Sequence, residues 1–319
     1  MKSKFSVGIA TALLAMISTC SYAGTLEDAR SEFKKENYQG AYYQASELSK
    51  DINNHDAKSM VAALKFAGKG TGKDNAGAVK IWTELAEVDY LPAQAILGSL
   101  YLDGGEIGRD YKKAKFFLEA AEKKGHPEAT YNLGFMYQNG LGVEASNTRA
   151  LQLYTKAADL GYGKALYQLG ILNQSNLVPG STPEKACDFY QKAGKAGSVE
   201  GSFLTGKCFA TGVGKPKNLS SAVTWYNSAA MHNFPMAQAN LGYMLEKGLG
   251  IQADLLMAYK WYWLASAKVP AAAKKVREIE LAGKLSPEQV SEKEKQKWLQ
   301  ELASFIETEK ANKGIISQQ

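Results

Sequence analysis

Gly140 and Gly142, in the stretch YNLGFMYQNGLGVE at residues 131–144, look at first like part of a chemical motif. A glycine-rich loop can cradle phosphate, because its backbone N–H groups approach the anion without interference from side chains. A phosphate loop occurs once and carries further glycines or a Gly-Lys-Ser/Thr sequence, and neither follows here. The alternative is that the two glycines form the corner of a structural unit.

A period of 36 residues decides between these interpretations, because a structural corner recurs wherever its unit does. Gly134 of the same stretch recurs at this spacing as Gly98, Gly170, Gly206 and Gly242. Ala129 belongs to a row that also contains Ala57, Ala93, Ala165, Gly201 and Ala237. Gly140 has counterparts in Gly68, Gly104, Gly212 and Gly248. The glycines therefore belong to an internal repeat, and we exclude the phosphate loop.

Each repeat is expected to be a pair of helices joined by a turn. Ala129 and Leu133 lie on one face of a first helix, and Ala150 and Tyr154 lie on one face of a second, by their spacing of four. The glycines between the two segments end the first helix. A glycine in the middle of a helix, such as Gly134, costs about 1 kcal/mol relative to alanine. Its recurrence predicts that the two helices approach closely at that point.

The pattern AxxxLGxxYxxGxGV, followed by a second helix ending in YTKAADLG, resembles the Sel1-like repeat, a relative of the tetratricopeptide repeat. The resemblance implies an all-α fold, an α-solenoid of stacked helix-turn-helix repeats with helical caps. Six repeats of 36 residues are expected to occupy residues 57–268. Proteins of this family bind other proteins, so the resemblance implies a protein partner without saying which one.

The segments on either side of the repeats are expected to cap the array. Residues 24–56 are predicted to form a capping helix pair, and residues 269–319 are predicted to form closing helices and a polar tail that frays. The sequence Ser286-Pro287-Glu288-Gln289 matches a capping box with proline at the first helical position. It predicts the start of a closing helix that carries Trp298.

Residues 1–23 have the features of a secretory signal. Two lysines precede an apolar run that is too short to span a membrane, and small residues precede a cleavage site after Ala23. We therefore predict a periplasmic or secreted protein with no membrane span. The alternative is a lipoprotein, because the residues before Cys20 resemble a lipid-attachment box, although Thr19 fits that box poorly.

Charge and histidine placement argue against several functions. The formal net charge is +6, and the lysines are scattered among glutamates, which is typical of solvated helix faces and excludes a nucleic-acid-binding stripe. His55, His126 and His232 are isolated and lack metal-ligand spacing. No HExxH or GxSxG sequence is present. We expect no catalytic residue, no metal and no cofactor, and a monomer that is not an enzyme.

Cys187 and Cys208 have two interpretations. They fall in the second helix of one repeat and the first helix of the next, which are neighbours in a solenoid, and an oxidising compartment permits a disulfide between them. The alternative is that both are small buried residues. Position 208 aligns with an apolar row that consists of Leu100, Met136, Leu172 and Met244.

By analogy with tetratricopeptide arrays, the first helices are expected to line a concave groove. Its positions are the second, sixth and ninth residues after each leading alanine. The predicted partner-binding residues are Tyr131, Phe135, Gln138, Tyr167, Ile171, Gln174, Phe203, Lys207, Tyr243 and Glu246. Aromatic side chains in such a patch are typical anchors for a protein partner. The alternative for the aromatics at the second position is packing between repeats.

Three classes of function remain. The first is a periplasmic or secreted protein-binding module. The second, by the same family resemblance, is a periplasmic immunity protein that neutralises a lipase-type toxin delivered by a rival cell. The third is an enzyme that binds or hydrolyses β-lactams. Relatives linked to that activity carry paired cysteines in nearly every repeat, whereas the predicted mature chain has two cysteines, so the third class ranks last.

Overall fold

Helices form the regular secondary structure of the part of the chain that the structure describes. The computed structural model describes residues 25–316, with side chains for residues 26–311. The predicted signal sequence and Cys20 lie outside these residues. Within residues 25–316 there are sixteen helices and no strand, which confirms the all-α class.

The chain divides into two compact units between Tyr162 and Gly163. The helices of the first unit are α1 (Thr25–Lys34), α2 (Tyr38–Leu48), α3 (His55–Ala67), α4 (Asn75–Glu87), α5 (Leu91–Asp103), α6 (Tyr111–Lys123), α7 (Pro127–Asn139) and α8 (Asn147–Asp159). Each helix in this unit contacts the next one along the chain. The first unit is therefore a stack of antiparallel helix pairs.

The second unit continues the same alternation of helices. Its helices are α9 (Gly163–Gln174), α10 (Pro183–Lys195), α11 (Val199–Thr211), α12 (Leu219–Met231), α13 (Pro235–Lys247), α14 (Leu255–Ala265), α15 (Pro270–Leu281) and α16 (Glu292–Ile316). Consecutive helices from α9 to α15 are in contact, and α16 packs on α12 and α14. In both units we call α3, α5, α7, α9, α11 and α13 first helices, and α4, α6, α8, α10, α12 and α14 second helices.

Every second helix begins after a short polar side chain that accepts a backbone hydrogen bond. These N-cap residues recur every 36 residues, as Asp74, Asp110, Ser146, Thr182, Asn218 and Asp254. An oxygen at this position satisfies backbone N–H groups that the helix itself cannot pair. The start of each second helix is therefore fixed locally, which sets its phase relative to the first helix.

The core lies between the first and second helices of each repeat. The leading alanines and their Gly201 counterpart are buried. One alanine that recurs every 36 residues in the second helices is buried too, as Ala78, Ala114, Ala150, Ala186, Ala222 and Ala258. A larger side chain from each second helix fills the space between them. This row of buried side chains consists of Trp82, Leu118, Tyr154, Tyr190, Tyr226 and Tyr262.

The closing helix does not begin where the capping box predicts. Residues 286–291 form a turn, and α16 begins at Glu292. The two capping-box hydrogen bonds are nevertheless present: the Ser286 N–H donates to Gln289 Oε1 at 2.8 Å, and the Gln289 N–H donates to Ser286 Oγ at 3.4 Å. The prediction of the helix start was wrong because one turn is enough to form both bonds. The helix continues to Ile316, within the segment for which a polar tail is predicted.

Candidate protein-binding face

The Gly140-Leu141-Gly142 turn is a point of close approach between repeats. Gly140 ends α7 in the left-handed conformation, with φ of 66°. Gly142 has φ of 66° as well, and a Cβ added to it would lie 2.5 Å from Tyr111 Cβ, at the start of α6. An alanine at position 142 would therefore be strained and would collide with the preceding repeat. The turn is a structural corner, as its periodicity predicts.

The aromatic residues at the second position pack on the tyrosines of the second helices. Tyr131 is 9% exposed, and its ring centroid lies 5.4 Å from that of Tyr154. The Tyr167 ring lies 6.2 Å from Tyr190. The Phe203 ring lies in the same way 5.8 Å from Tyr226. These contacts favour packing inside the repeat as the role of the second position.

The polar residues at the ninth position accept hydrogen bonds from the same tyrosines. Tyr154 Oη donates to Gln138 Oε1 at 2.6 Å, and the two residues are 16 apart in the chain. Tyr190 donates to Gln174 at the same separation. Burial raises the pKa of Tyr154, with a further increase from Tyr131, so the hydroxyl group stays protonated and keeps its role as donor. Each bond ties the two helices of one repeat together.

Glu246 shows the charged version of this bond. Tyr262 Oη donates to Glu246 Oε2 at 2.8 Å, and Lys275 Nζ lies 3.1 Å from Glu246 Oε1. Burial alone would raise the pKa of Glu246, but hydrogen bonds from Lys247, Tyr262 and Lys275 outweigh it and leave the pKa below its ordinary value. The carboxylate therefore stays ionised and is occupied by contacts within the second unit.

The side chains at the sixth position differ in exposure. Phe135 and Ile171 are half-buried and pack against the cores of their own units. Lys207 is exposed, and Tyr243 is an aromatic residue with 49% of its surface exposed. Lys207 and Tyr243 are therefore the sixth-position residues most open to a partner. We call these four residues the first-helix face and describe them separately in each unit.

Cys187 and Cys208 are joined by a disulfide bond in the second unit. Cys187 lies on α10 and Cys208 on α11, with their Cα atoms 6.2 Å apart. Both residues are also buried, so the two interpretations made from the sequence do not exclude each other. The bond links the second helix of one repeat to the first helix of the next.

The described residues contain no cluster of histidine, cysteine, aspartate and glutamate that could hold a metal ion. The three histidines have local contacts: His126 caps α7, and the rings of His55 and His232 lie against Tyr90 and Phe305. Among residues 25–316 no helix is both long enough and apolar enough to cross a membrane.

Two features of the structure were not predicted from the sequence. One is the bond from a second-helix tyrosine to the glutamine or glutamate at the ninth position of three repeats, which the constant separation of 16 residues could have indicated. The other is Phe116 on α6, which is 68% exposed. The corresponding positions of the other repeats carry polar residues, namely Lys80, Gln152, Asp188, Thr224 and Lys260, so a comparison of repeats could have identified it.

Comparisons with known proteins agree with this architecture. The Sel1 repeat model matches residues 91–126, 127–162, 163–198, 199–234 and 235–268. The chain is 33% identical over 99 residues to chitin synthase regulatory factor 3 of Schizosaccharomyces pombe. The matched residues make up 31% of this chain and 10% of that protein. The match therefore spans a small part of that curated relative.

Two solved structures show the same fold. One is c5321, a protective antigen of uropathogenic Escherichia coli strains, with a TM-score of 0.72 and 24% identity over 82% of this chain and 56% of that chain. The other is a Sel1 repeat protein of Oxalobacter formigenes, with a TM-score of 0.70 and 24% identity over 86% of this chain and 87% of that one.

The matched repeats extend over residues 91–268, which is more than half of the 319 residues. Their boundaries follow the helix pairs α5–α6, α7–α8, α9–α10, α11–α12 and α13–α14. The chain is a member of the Sel1 repeat family.

Proposed function

We propose that this protein is an exported module that binds a protein partner through the first-helix face, and that it is not a catalyst. Repeat arrays of this kind present extended surfaces on which partners dock. The sixth-position residues supply such a surface, since the aromatic residues at the second position and the polar residues at the ninth position make contacts within their own repeats.

Tyr243 is the observation that carries the proposal. It lies on a first helix with 49% of its surface exposed, whereas the second-position rings lie against the tyrosines of their own repeats. Tyrosine is enriched among residues that dominate binding energy, because it combines a large apolar surface with a polar tip. In the second unit the exposed Lys207 and the half-buried Ile171 share its repeat position.

The test begins with capture of the partner on the mature protein, using a photocrosslinking residue at position 243. Leu281 is the matched control site, because it is 89% exposed and lies on α15, outside the repeats. A protein crosslinked from position 243 and not from position 281 supports the proposal. Crosslinks that do not differ between the two sites contradict it.

Substitutions then separate binding from packing. Phe135→Ala, Ile171→Ala and Tyr243→Ala should each weaken the captured partner's binding by about 2 kcal/mol or more. Tyr243→Ala should leave the melting temperature nearly unchanged. If the Phe135 and Ile171 variants melt at lower temperature and the folded protein binds with unchanged affinity, these two residues are packing residues and leave the proposed face.

The identity of the captured protein decides between an envelope adaptor and an immunity protein. An immunity protein would retain a lipase-type toxin from a rival strain and abolish its activity in a mixture of the two purified proteins. An adaptor would retain a resident envelope protein. Both outcomes use the same captured sample, so one identification by mass spectrometry distinguishes them.

A further inference from the structure

A patch of aromatic and basic side chains lies on α5 and α6 of the first unit and contains no residue of the first-helix face. Phe116 is 68% exposed on α6, and its ring meets that of Phe117 edge to face, with centroids 5.2 Å apart. Phe117 in turn stacks on Tyr101, at 6.2 Å and an interplanar angle of 8°. Lys113 Nζ lies 5.0 Å from the centre of the Tyr101 ring. We call these four residues together with Lys112 the Phe116 patch.

The patch is specific to one repeat. A single exposed apolar residue needs no explanation in a soluble protein, but here the exposed ring is backed by two further rings. The other repeats carry polar side chains at the position of Phe116. The other repeats fold with polar residues at this exposed position, so packing inside the repeat does not require a phenylalanine at position 116.

The second unit shows what covers the equivalent surface there. Lys260 on α14 holds the position that Phe116 holds on α6, and its Nζ atom lies 2.7 Å from Glu301 Oε2 on α16. Trp298 of α16 is 6% exposed and packs edge to face on Tyr259 and Trp263 of α14. The occupant of this surface is therefore an amphipathic helix that inserts an aromatic residue and presents a carboxylate.

The charge of α6 indicates how a helix on the Phe116 patch should differ from α16. Lys112, Lys113 and Lys115 on α6 stand where α14 carries the uncharged Leu256, Met257 and Tyr259. Lys115 is paired with Glu119, which holds the position of Trp263. Lys112 and Lys113 are therefore the cations that would favour acidic residues along the edges of a docked helix. We propose that the Phe116 patch docks an acidic amphipathic helix of a partner protein, with an aromatic residue inserted beside Phe116.

The probe is a fluorescein-labelled peptide of residues 292–311 of this chain, with Lys293→Glu, Lys295→Glu and Lys297→Glu. Fluorescence anisotropy measures its affinity for the full chain. Phe116→Gln is the test variant, since Gln152 holds that position in the next repeat and the fold accepts it. Val88→Gln, at a residue 58% exposed in the same unit, is the matched control.

We expect Phe116→Gln to weaken binding by about tenfold or more, and Val88→Gln to leave it unchanged. Replacing Lys112 and Lys113 by glutamine should weaken binding most at low salt. A peptide with Trp298→Ala should lose the dependence on Phe116. Equal affinity for the parent chain and Phe116→Gln, or no binding up to about 1 mM, overturns the proposal.

Two other occupants are distinguished by separate measurements. Pelleting with phosphatidylglycerol vesicles that depends on Phe116 would assign the patch to lipid and overturn the proposal. Self-association that depends on Phe116, measured by sedimentation velocity, would assign it to a second copy of the chain and overturn it too. Tyr243→Ala, on the first-helix face, should leave peptide binding unchanged, so failure of this proposal and failure of the proposed function are separate results.

Discussion

The ring of Tyr226 lies against the bare backbone of Gly206, so that a Cβ on Gly206 would be 2.7 Å from Tyr226 Cδ1. The same relationship holds between Gly134 and Tyr154 and between Gly242 and Tyr262, where the corresponding distance is 3.0 Å. The glycine in the middle of these three first helices is therefore kept for the ring that packs on it. Glycine lowers the intrinsic helix propensity at this position, but it allows the ring to pack closely on the helix backbone.

Gly206→Ala should consequently destabilise the protein, although alanine normally favours a helix by about 1 kcal/mol. In the background of Tyr226→Ala the same substitution should become neutral or stabilising, because the colliding ring is gone. Urea unfolding of the four proteins in this double-mutant cycle measures the coupling. Additive effects would mean that the ring does not determine the identity of residue 206.

Tyr154→Ala should cost about 3–5 kcal/mol of unfolding free energy, as truncation of a buried aromatic residue does. Tyr154→Phe should cost about 1 kcal/mol, the usual contribution of one hydrogen bond, here the bond to Gln138. Lys123→Ala, at an exposed position, should change stability by less than about 0.5 kcal/mol. Similar losses for the tyrosine and lysine variants to alanine would refute the assignment of helix faces.

Reduction of the bond between Cys187 and Cys208 should lower stability by about 3 kcal/mol, from the chain entropy of a loop that joins residues 21 apart. Chemical denaturation with and without dithiothreitol measures the change. A variant with both cysteines replaced by alanine should not respond to the reductant. Labelling of two free thiols in native protein, alkylated before any reduction, would show that the bond is absent in the cell.

Stability should fall as the pH drops below about 6.5, the ordinary pKa of an unfolded histidine. Burial lowers the pKa of His126 in the folded protein, so the unfolded chain binds the proton more readily. The contribution is present above the unfolded-state pKa and is lost as the pH falls towards the folded-state pKa. Protonation also removes the Nδ1 lone pair that accepts from the Ala129 N–H at 3.2 Å.

His126→Asn is the variant that tests this pH dependence. Asn54 caps α3 by accepting from the Ala57 N–H, so asparagine suits the cap position and does not titrate. Urea unfolding at neutral and mildly acidic pH should show a smaller acid-induced loss for the variant than for the parent. An identical loss in both proteins would assign the pH dependence to other groups.

Export should remove residues 1–23, so N-terminal sequencing of the native protein is expected to begin at Gly24. The charged start, the apolar run and the small residues before Ala23 are the basis of this prediction. Mass spectrometry of the intact protein would reveal a lipid on Cys20 if the alternative applies. A protein that begins at Met1 in the cytosol would contradict export and the immunity role together.

The repeat itself could be predicted from the sequence because each helix pair needs the same residues for close packing and for its turn, so these residues recur every 36 positions. The repeat positions of Gly134 and Tyr154 predict two helices that face each other, and their contact confirms this. The role of Tyr131 could not be predicted, since an aromatic residue suits a core and a binding surface equally. The structure distinguishes a core role from a binding role for Tyr131 because the Tyr154 ring lies 5.4 Å away.

Side-chain pairing across a repeat was not predicted either, although the constant separation of 16 residues indicates it. Gln138 and Gln174 have the polarity of exposed groove residues, and their bonds to Tyr154 and Tyr190 depend on the geometry of the helix pair. The helix start predicted from the capping box at Ser286 was wrong for a different reason. It describes two local hydrogen bonds, and local bonds do not determine whether a helix continues from them.

The fit of each turn to the repeat before it has a consequence for how this chain can change in length. A Cβ on Gly142 would collide with Tyr111, and a Cβ on Gly250 would collide with Leu219. Tyr111 and Leu219 are each the first residue of the second helix in the preceding repeat. Because these two junctions are built alike, an in-frame duplication or deletion of 36 residues there recreates a junction of the same kind. Recombination within the gene can therefore lengthen or shorten the array by whole repeats, whereas an insertion of any other length must be absorbed by a single loop.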